Sequence, residues 1–202
     1  MRVLSKLIPS DTRVPRPGET EASRVWYYQS SRKLANINPR EVLRDTAARE
    51  NSRNYVTPGR LYMFLYSPKN ANTLPYYDRF PLVFPYEVTE KGFTGINMHY
   101  LPPAYRAVLM DGLLDYLSPN EDENRTKIRL TYELLTSVSR LRFYKPAVRQ
   151  YLNNFVRSRF LLVPSNEWNM ALMLPLQRFS KANIQTVYKE SRQIIRASQG
   201  IK

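Results

Sequence analysis

The densest group of chemically active side chains in this sequence lies between Leu141 and Arg159. It holds five cations and no acid, and aromatic residues stand between the cations. The cations are Arg142, Lys145, Arg149, Arg157 and Arg159. Pro146 predicts the start of a helix, and Arg142 and Lys145 stand just before it, where free N–H groups and the helix dipole favour an anion. The chemistry favoured here is the binding of a polyanion.

Apolar spacing predicts that this helix runs from Pro146 to about Phe160. Its buried stripe would consist of Val148, Tyr151, Leu152, Phe155 and Val156. Arg149, Asn153 and Arg157 would share another face at intervals of four residues, which presents donors to successive phosphates. The competing interpretation is an ordinary solvated basic face.

A second cationic row is predicted on a helix over residues 182–197. The row consists of Lys181, Gln185, Lys189, Arg192 and Arg196. Opposite it lie Ile184, Val187, Tyr188, Ser191 and Ile195. If both rows touch DNA, about 6 phosphates are neutralised and log affinity falls with log salt at a slope of about −5. Phosphate contacts position a protein without reading bases, so no sequence specificity is implied.

The charge balance of the chain points to nucleic acid as the partner. The sequence has 202 residues, 43% of them hydrophobic, which is a folding composition, and a formal net charge of +14. Residues 142–202 carry 11 basic and 2 acidic residues, whereas residues 61–141 carry 8 and 9. We therefore interpret the middle of the chain, residues 61–141, as the scaffold of the fold, and the basic segments at its two ends as contact surfaces. No apolar run is long enough for a membrane span, and a cytosolic setting is the default.

Catalytic, metal and cofactor sites are not expected. His99 is the single histidine and there is no cysteine, so an ordinary zinc site has no ligands. Asp78 and Glu87 are the carboxylates that a metal-dependent nuclease would use, but no further acid follows at helpful spacing with a lysine. Asp78 is better explained by pairing with Arg79 or by capping a turn. No glycine loop for a phosphate-bearing small molecule is present.

Six tyrosines in the middle of the chain have two interpretations. They are Tyr62, Tyr66, Tyr76, Tyr77, Tyr86 and Tyr100. They could stack on unpaired bases, as on single-strand-binding sheets. Core packing is favoured, because prolines surround them and few cations lie near.

The predicted fold is α+β and mostly helical. It has a small antiparallel β-sheet in the middle, a C-terminal helical bundle and an extended basic N-terminal arm over residues 1–58, with a single core domain over 59–202. Strands are predicted over 61–66, 80–88 and 93–100, with Pro81 and Pro85 weakening the second or placing it at an edge. Helices are predicted over 19–34, 39–52, 105–117, 126–141, 146–160, 166–174 and 182–197. Within this arm, the proline-rich stretch 9–18 is predicted to be extended, and helices follow it.

Several segments resemble the DNA end protectors of contractile-tailed bacteriophages. The segments are 74–83, 92–103, 143–146 and 149–152, within a resemblance that spans roughly Pro58 to Arg192. The resemblance implies a virion protein that acts in head completion, sits on the ends of packaged linear duplex DNA and blocks host exonuclease. The segments that carry the resemblance contain no set of catalytic residues. Phage head, portal or neck proteins are its implied partners, in the virion and in host cytoplasm during assembly.

Two functions from different classes compete. The first is a non-enzymatic protein that binds DNA ends. The second is an architectural component of the neck, portal or baseplate, whose basic faces meet acidic subunits. The two cationic rows favour the first and the proline-rich arm favours the second. A charge reversal at Arg149 and Arg157 is expected to abolish DNA binding with the fold intact, since neither lies on the apolar stripe.

Overall fold

The computed structural model describes residues 21–22, 25–26, 28–29, 38–44, 50–114, 125–140, 142–173 and 175–198. The strands are β1 (Ser52–Arg53), β2 (Leu61–Met63), β3 (Tyr77–Asp78), β4 (Leu82–Val88), β5 (Gly92–Asn97), β6 (Val148–Leu152), β7 (Phe160–Val163) and β8 (Phe179–Ser180). Six of them form a sheet in the order β1-β7-β2-β4-β5-β6, with neighbours antiparallel. The other two, β3 and β8, pair as a separate antiparallel ribbon.

Helices precede, interrupt and follow these strands. They are α1 (Pro39–Arg44), α2 (Pro103–Leu114), α3 (Arg125–Arg140), α4 (Trp168–Met173) and α5 (Ile184–Ser198). Short 3₁₀ helices occupy Met98–Tyr100, Arg142–Ala147, Asn153–Phe155 and Ser165–Glu167. No helix of the described residues is long and apolar enough to cross a bilayer.

Alternate side chains of the sheet enter two different hydrophobic clusters. Leu61 and Met63 of β2 enter a large cluster, and Tyr62 between them enters a smaller one. On β7, Leu161 and Val163 likewise enter the large cluster. Helices cover that face and contribute Val42, Leu109, Leu135, Leu172 and Val187. The period of two along each strand therefore divides the interior between the two faces of the sheet.

The smaller cluster is aromatic, and the sheet curls around it. The Phe64 ring centroid lies 5.2 Å from those of both Tyr151 and Phe160, in edge-to-face arrangements. Beyond the strand ends, the backbone N–H of Arg157 donates to the carbonyl of Leu65 at 2.7 Å. The segment after β6 is thereby joined to the segment after β2.

The prediction of a mostly helical fold with a C-terminal helical bundle is wrong. A six-stranded antiparallel sheet organises the interior, and it draws strands from both ends of the described chain. After α3, strands β6, β7 and β8 alternate with α4 and α5 instead of leaving a bundle of helices. The sheet is larger than the predicted one, because short segments with weak local signals are stabilised by pairing with distant strands.

The predicted helix over 146–160 is also wrong. Its residues form β6, the turn Asn153–Phe155 and the approach to β7. β6 pairs along β5, with Tyr151 opposite Phe93. Gly92 permits this approach, because a Cβ at that position would collide with the backbone carbonyl of Tyr151. The apolar spacing was compatible with either structure, and pairing with β5 decides between them.

Strand β4 contradicts the expectation of a weak or edge strand. It lies between β2 and β5 in the interior of the sheet. The pairing register shifts between Pro85 and Glu87, so Pro85 stands at an irregularity of the ladder, where a missing N–H is tolerated. The Pro85 carbonyl still accepts a hydrogen bond from Gly59 N at 3.0 Å.

The N-terminal predictions are tested only in part. The proline-rich stretch 9–18 lies outside the described residues, while 21–22, 25–26 and 28–29 are helical. Asn38 caps α1, since its Oδ1 accepts from Arg40 N at 3.0 Å. The second helix does not reach Ser52, which belongs to β1. The division into an arm and a core domain at residue 58 stays a prediction.

Candidate nucleic-acid interface

Helix α5 presents the cationic row that the sequence predicted. Asn183 begins the helix, because its Oδ1 accepts from Thr186 N at 2.9 Å. Val187, Ser191 and Ile195 are buried at intervals of four, and the Ser191 hydroxyl donates to the Tyr100 carbonyl at 2.7 Å. The buried side fixes how the helix is rotated on the core.

Lys189, Arg192 and Arg196 lie exposed on the opposite side of α5. At 1.5 Å of rise per residue, the row spans about 10 Å along the helix axis. That length suits more than one phosphate of a nucleic-acid strand, whose charges repeat every few ångströms. The exposed position of these three residues is confirmed, and their contact with DNA stays a prediction.

Neither acid of residues 142–202 opposes this row at the surface. Glu190, within the same helix, is half-buried and accepts a hydrogen bond from the Tyr76 hydroxyl at 2.6 Å. Burial, followed by the Glu190 carboxylate, raises the pKa of that tyrosine, which therefore stays protonated and keeps donating. Glu167 is 2% exposed. Neither of these two acids therefore offsets the positive charge on the exposed face of α5.

The segment Arg142–Ala147 packs against α5. Tyr144 and Ala147 are buried, and Lys145 between them is exposed. Arg142 is the first residue of the segment. The structure therefore places the exposed Lys145 on an element that packs against α5, although no helix begins at Pro146.

Lys181 does not belong to the α5 row. It precedes the helix, with a φ of 67°. Its ammonium donates to the carbonyls of Ala71, Asn72 and Leu74 at 2.7, 2.8 and 3.1 Å. These bonds hold the loop before β3 against the start of α5, so the charge has a structural use.

Arg149 lies on a strand and not on a polar helix face. It is half-buried on β6, and its guanidinium lies 4.1 Å from the Tyr100 ring centroid. A cation over an aromatic ring contributes about 0.5–2 kcal/mol. Because of this contact, a charge reversal at Arg149 is now expected to disturb packing as well as any DNA contact.

Arg157 and Arg159 are exposed on the segment that joins β6 to β7. Sequence analysis did not single out three further cations, one on β1 and two beside the β3–β8 ribbon. Arg53 lies on β1, next to β7. Arg79 and Arg178 are joined by a bond from Arg79 N to the Arg178 carbonyl at 2.8 Å. The only sequence signal was the excess of positive charge, because these residues come together from segments about 100 positions apart.

A buried polar centre lies beneath this surface. The Asp78 Oδ2 lies 2.6 Å from His99 Nδ1, and both side chains are inaccessible to solvent. Asp78 Oδ1 accepts from the backbone amides of Phe80 and Arg178 at 3.0 and 3.1 Å. The turn-capping interpretation of Asp78 is therefore confirmed by its bond to Phe80 N. Its hydrogen-bonding side-chain partner is His99, a pairing that sequence analysis did not anticipate.

The two pKa values of this pair favour an ionised carboxylate beside a neutral imidazole. Burial raises the pKa of the Asp78 carboxyl, but His99 and the two amide donors outweigh burial and hold it below its ordinary value. Burial lowers the pKa of His99 and outweighs the attraction of Asp78. The neutral ring donates from Nδ1, which makes the centre a structural one.

The single histidine predicts a defined pH dependence of stability. Since its folded pKa lies below the usual 6.5, the unfolded chain takes up a proton at higher pH than the folded chain. The free energy of unfolding is expected to be constant above about pH 7 and to fall below 6.5, at up to about 1.4 kcal/mol per pH unit. Denaturant titrations between pH 5 and 8 measure this. His99→Gln should be less stable throughout and lose the slope; a slope that survives would assign the effect elsewhere.

Arg106 is a buried cation that joins several elements. It is 2% exposed and donates to the carbonyls of Leu101 and Leu172 at 2.7 and 2.8 Å. It also donates to the carbonyl of His99 at 3.3 Å and to the Tyr188 hydroxyl. These bonds tie α2, α4 and α5 to the turn that carries His99.

Five of the six tyrosines pack within or against the core, as the favoured interpretation held, whereas Tyr77 on β3 is half-buried and belongs to neither cluster. Tyr62 and Tyr100 are buried, and Tyr66, Tyr76 and Tyr86 pack against the two clusters. Within the described residues, no group of three or more His, Cys, Asp or Glu side chains is placed to hold a metal ion.

Residues 32–193 match the protein family described as phage T4 terminal DNA protecting protein. The match covers well over half of the 202-residue chain. The family description names protection of terminal DNA and no catalysed reaction. No curated protein and no solved structure matches the chain. The resemblance to DNA end protectors is confirmed: this chain belongs to the phage T4 terminal DNA protecting protein family.

Proposed function

We propose that this protein binds the ends of linear duplex DNA and shields them from exonuclease, without enzymatic activity of its own. The observation that carries the proposal is the exposed row of Lys189, Arg192 and Arg196 on a helix whose acid is engaged with Tyr76. Family membership supplies the terminal DNA as the object of protection. The site of action is the virion during head completion, where head, portal or neck proteins would be its neighbours.

Protection by occupancy fits the chemistry of the described residues. An exonuclease must reach the terminal phosphodiester bonds, and a protein that neutralises phosphates there excludes it. Hydrolysis by this protein itself would need accessible carboxylates to hold a metal ion. Asp78 is only 3% exposed and its carboxylate is hydrogen-bonded to His99, so it is not accessible to a metal ion. The exposed Glu87 therefore cannot share a metal ion with Asp78. Cleavage of DNA by the purified protein with magnesium would contradict the proposal.

Binding to DNA is expected to weaken steeply with salt. The α5 row with Lys145 offers four phosphate contacts, fewer than the two helical rows predicted from sequence. At about 0.9 counterions released per neutralised phosphate, the slope of log affinity against log salt is expected near −3.6.

The test compares a linear duplex with a covalently closed circle of the same length and sequence across a salt series. Tighter binding to the linear form supports end binding, and a slope of this size is expected for the closed circle. Equal affinity for both forms contradicts end preference, and the absence of binding at moderate salt contradicts DNA binding itself.

A further inference from the structure

Tyr55 presents an aromatic ring to solvent beside the β1 edge of the sheet. Its side chain is 71% exposed, more than any other large hydrophobic side chain in the described part of the chain. Val56, the next residue, is buried in the aromatic cluster. The backbone at Tyr55 is therefore anchored to the interior while its ring projects outward.

Two guanidinium groups meet at the backbone carbonyl of Ser52, three residues before Tyr55 in the chain. Arg53 NH1 donates to the Ser52 carbonyl at 3.1 Å, and Arg159 NH2 donates to the same oxygen at 3.3 Å. Arg53 also donates to the backbone carbonyl of Glu50 at 2.9 Å. Two cations held at one carbonyl repel each other, and an anion bound between them would relieve that repulsion.

The backbone beneath these cations is fixed before any ligand arrives. Arg53 is paired with Phe160 across β1 and β7. The Ser158 hydroxyl accepts from Leu65 N at 2.9 Å and donates to the Arg159 carbonyl at 2.8 Å. A site on paired strands loses little conformational entropy on binding.

A free duplex end differs chemically from the interior of a duplex. It exposes the face of its last base pair and carries terminal phosphates, whereas interior base pairs are covered on both faces. An aromatic side chain that stacks on a base contributes about 1–3 kcal/mol. An exposed tyrosine flanked by guanidinium groups matches both features of the end.

We propose that Tyr55 caps the terminal base pair of the duplex while Arg53 and Arg159 hold the phosphates next to it. The proposal rests on the proposed function and adds the residue that distinguishes ends from interior DNA. The α5 row neutralises phosphates that every duplex has, whereas stacking on Tyr55 needs an open end.

The experiment uses the full chain and two duplexes of equal length, one with open ends and one with both ends closed by hairpin loops. Wild type should prefer open ends. Tyr55→Ala should lower affinity for open ends about tenfold and leave affinity for the closed duplex unchanged, since stacking contributes 1–3 kcal/mol. Tyr55→Phe, which keeps the ring, is the matched control and should behave as wild type. Tyr55 is exposed, so all three proteins should unfold at the same temperature.

A 2-aminopurine at the terminal pair gives an independent readout. Its fluorescence should change on binding wild type and Tyr55→Phe but not Tyr55→Ala, and the same base placed centrally should respond to none of them. Open-end preference that survives Tyr55→Ala would overturn the capping role and leave the proposed function standing. A wild-type protein with no preference for open ends would overturn both.

Discussion

Reversing Lys189 and Arg192 to glutamate is expected to lower affinity for duplex DNA by about two orders of magnitude and to reduce the salt slope by about 2. Both side chains are exposed on α5, opposite the buried Val187, Ser191 and Ile195. Each neutralised phosphate contributes close to tenfold at ~0.1 M salt through released counterions, so two lost contacts give this size of effect. Electrophoretic or fluorescence titrations from 50 to 200 mM salt measure both quantities.

The matched control for this variant reverses Lys69 and Lys91. Both are exposed, and each lies in a loop outside α5, so the net charge changes by the same amount. The control should keep most of the affinity, apart from a small loss from the weaker overall field. Equal losses in the two variants would show that net charge alone binds DNA and that α5 is no special surface. Thermal unfolding should be close to wild type in both.

Replacing Asp78 with alanine is expected to destabilise the fold by about 3–5 kcal/mol, a large share of the stability of a single domain. The substitution strands the Nδ1–H of His99 and the amides of Phe80 and Arg178 in a solvent-free interior. Unpaired buried donors each cost about 1–3 kcal/mol. Denaturant titration at pH 7 measures the loss.

Glu87→Ala is the control for this variant, because it removes a carboxylate that is exposed on β4. Its free energy of unfolding should lie within about 0.5 kcal/mol of wild type. If Asp78→Ala were equally harmless, the buried centre would not hold the fold together. Since Asp78→Ala is expected to unfold much of the protein, loss of DNA binding in that variant says nothing about contact with DNA.

The two cationic segments show what local sequence could and could not predict. The helix α5 with its exposed Lys189, Arg192 and Arg196 could be predicted because its apolar residues repeat at helical spacing, although Lys181 lies outside the helix. The apolar residues of the stretch 146–160 are spaced just as regularly, but its strand β6 pairs with β5. No residue within the stretch indicates that pairing. Strand pairing depends on distant segments, so it overrides local periodicity without leaving a local sign.

The pairing of Asp78 with His99 could not be predicted from the sequence for the same reason. Asp78 and His99 are 21 positions apart and meet because β3 and the turn after β5 converge. The sequence did indicate that each residue was structural, since His99 had no zinc partner and Asp78 stood in a turn. Tyr55 was overlooked because the sequence around a tyrosine near prolines and glycines does not indicate whether its side chain is buried in the core or exposed at the surface.

The decisive measurement is the rate at which a processive exonuclease degrades a linear duplex in the presence of saturating protein. Wild type is expected to leave the duplex at full length under conditions where naked DNA is degraded, and the Lys189 and Arg192 reversal should restore degradation. Degradation of the linear duplex at the rate of naked DNA, while a binding assay shows the protein on it, would contradict end protection.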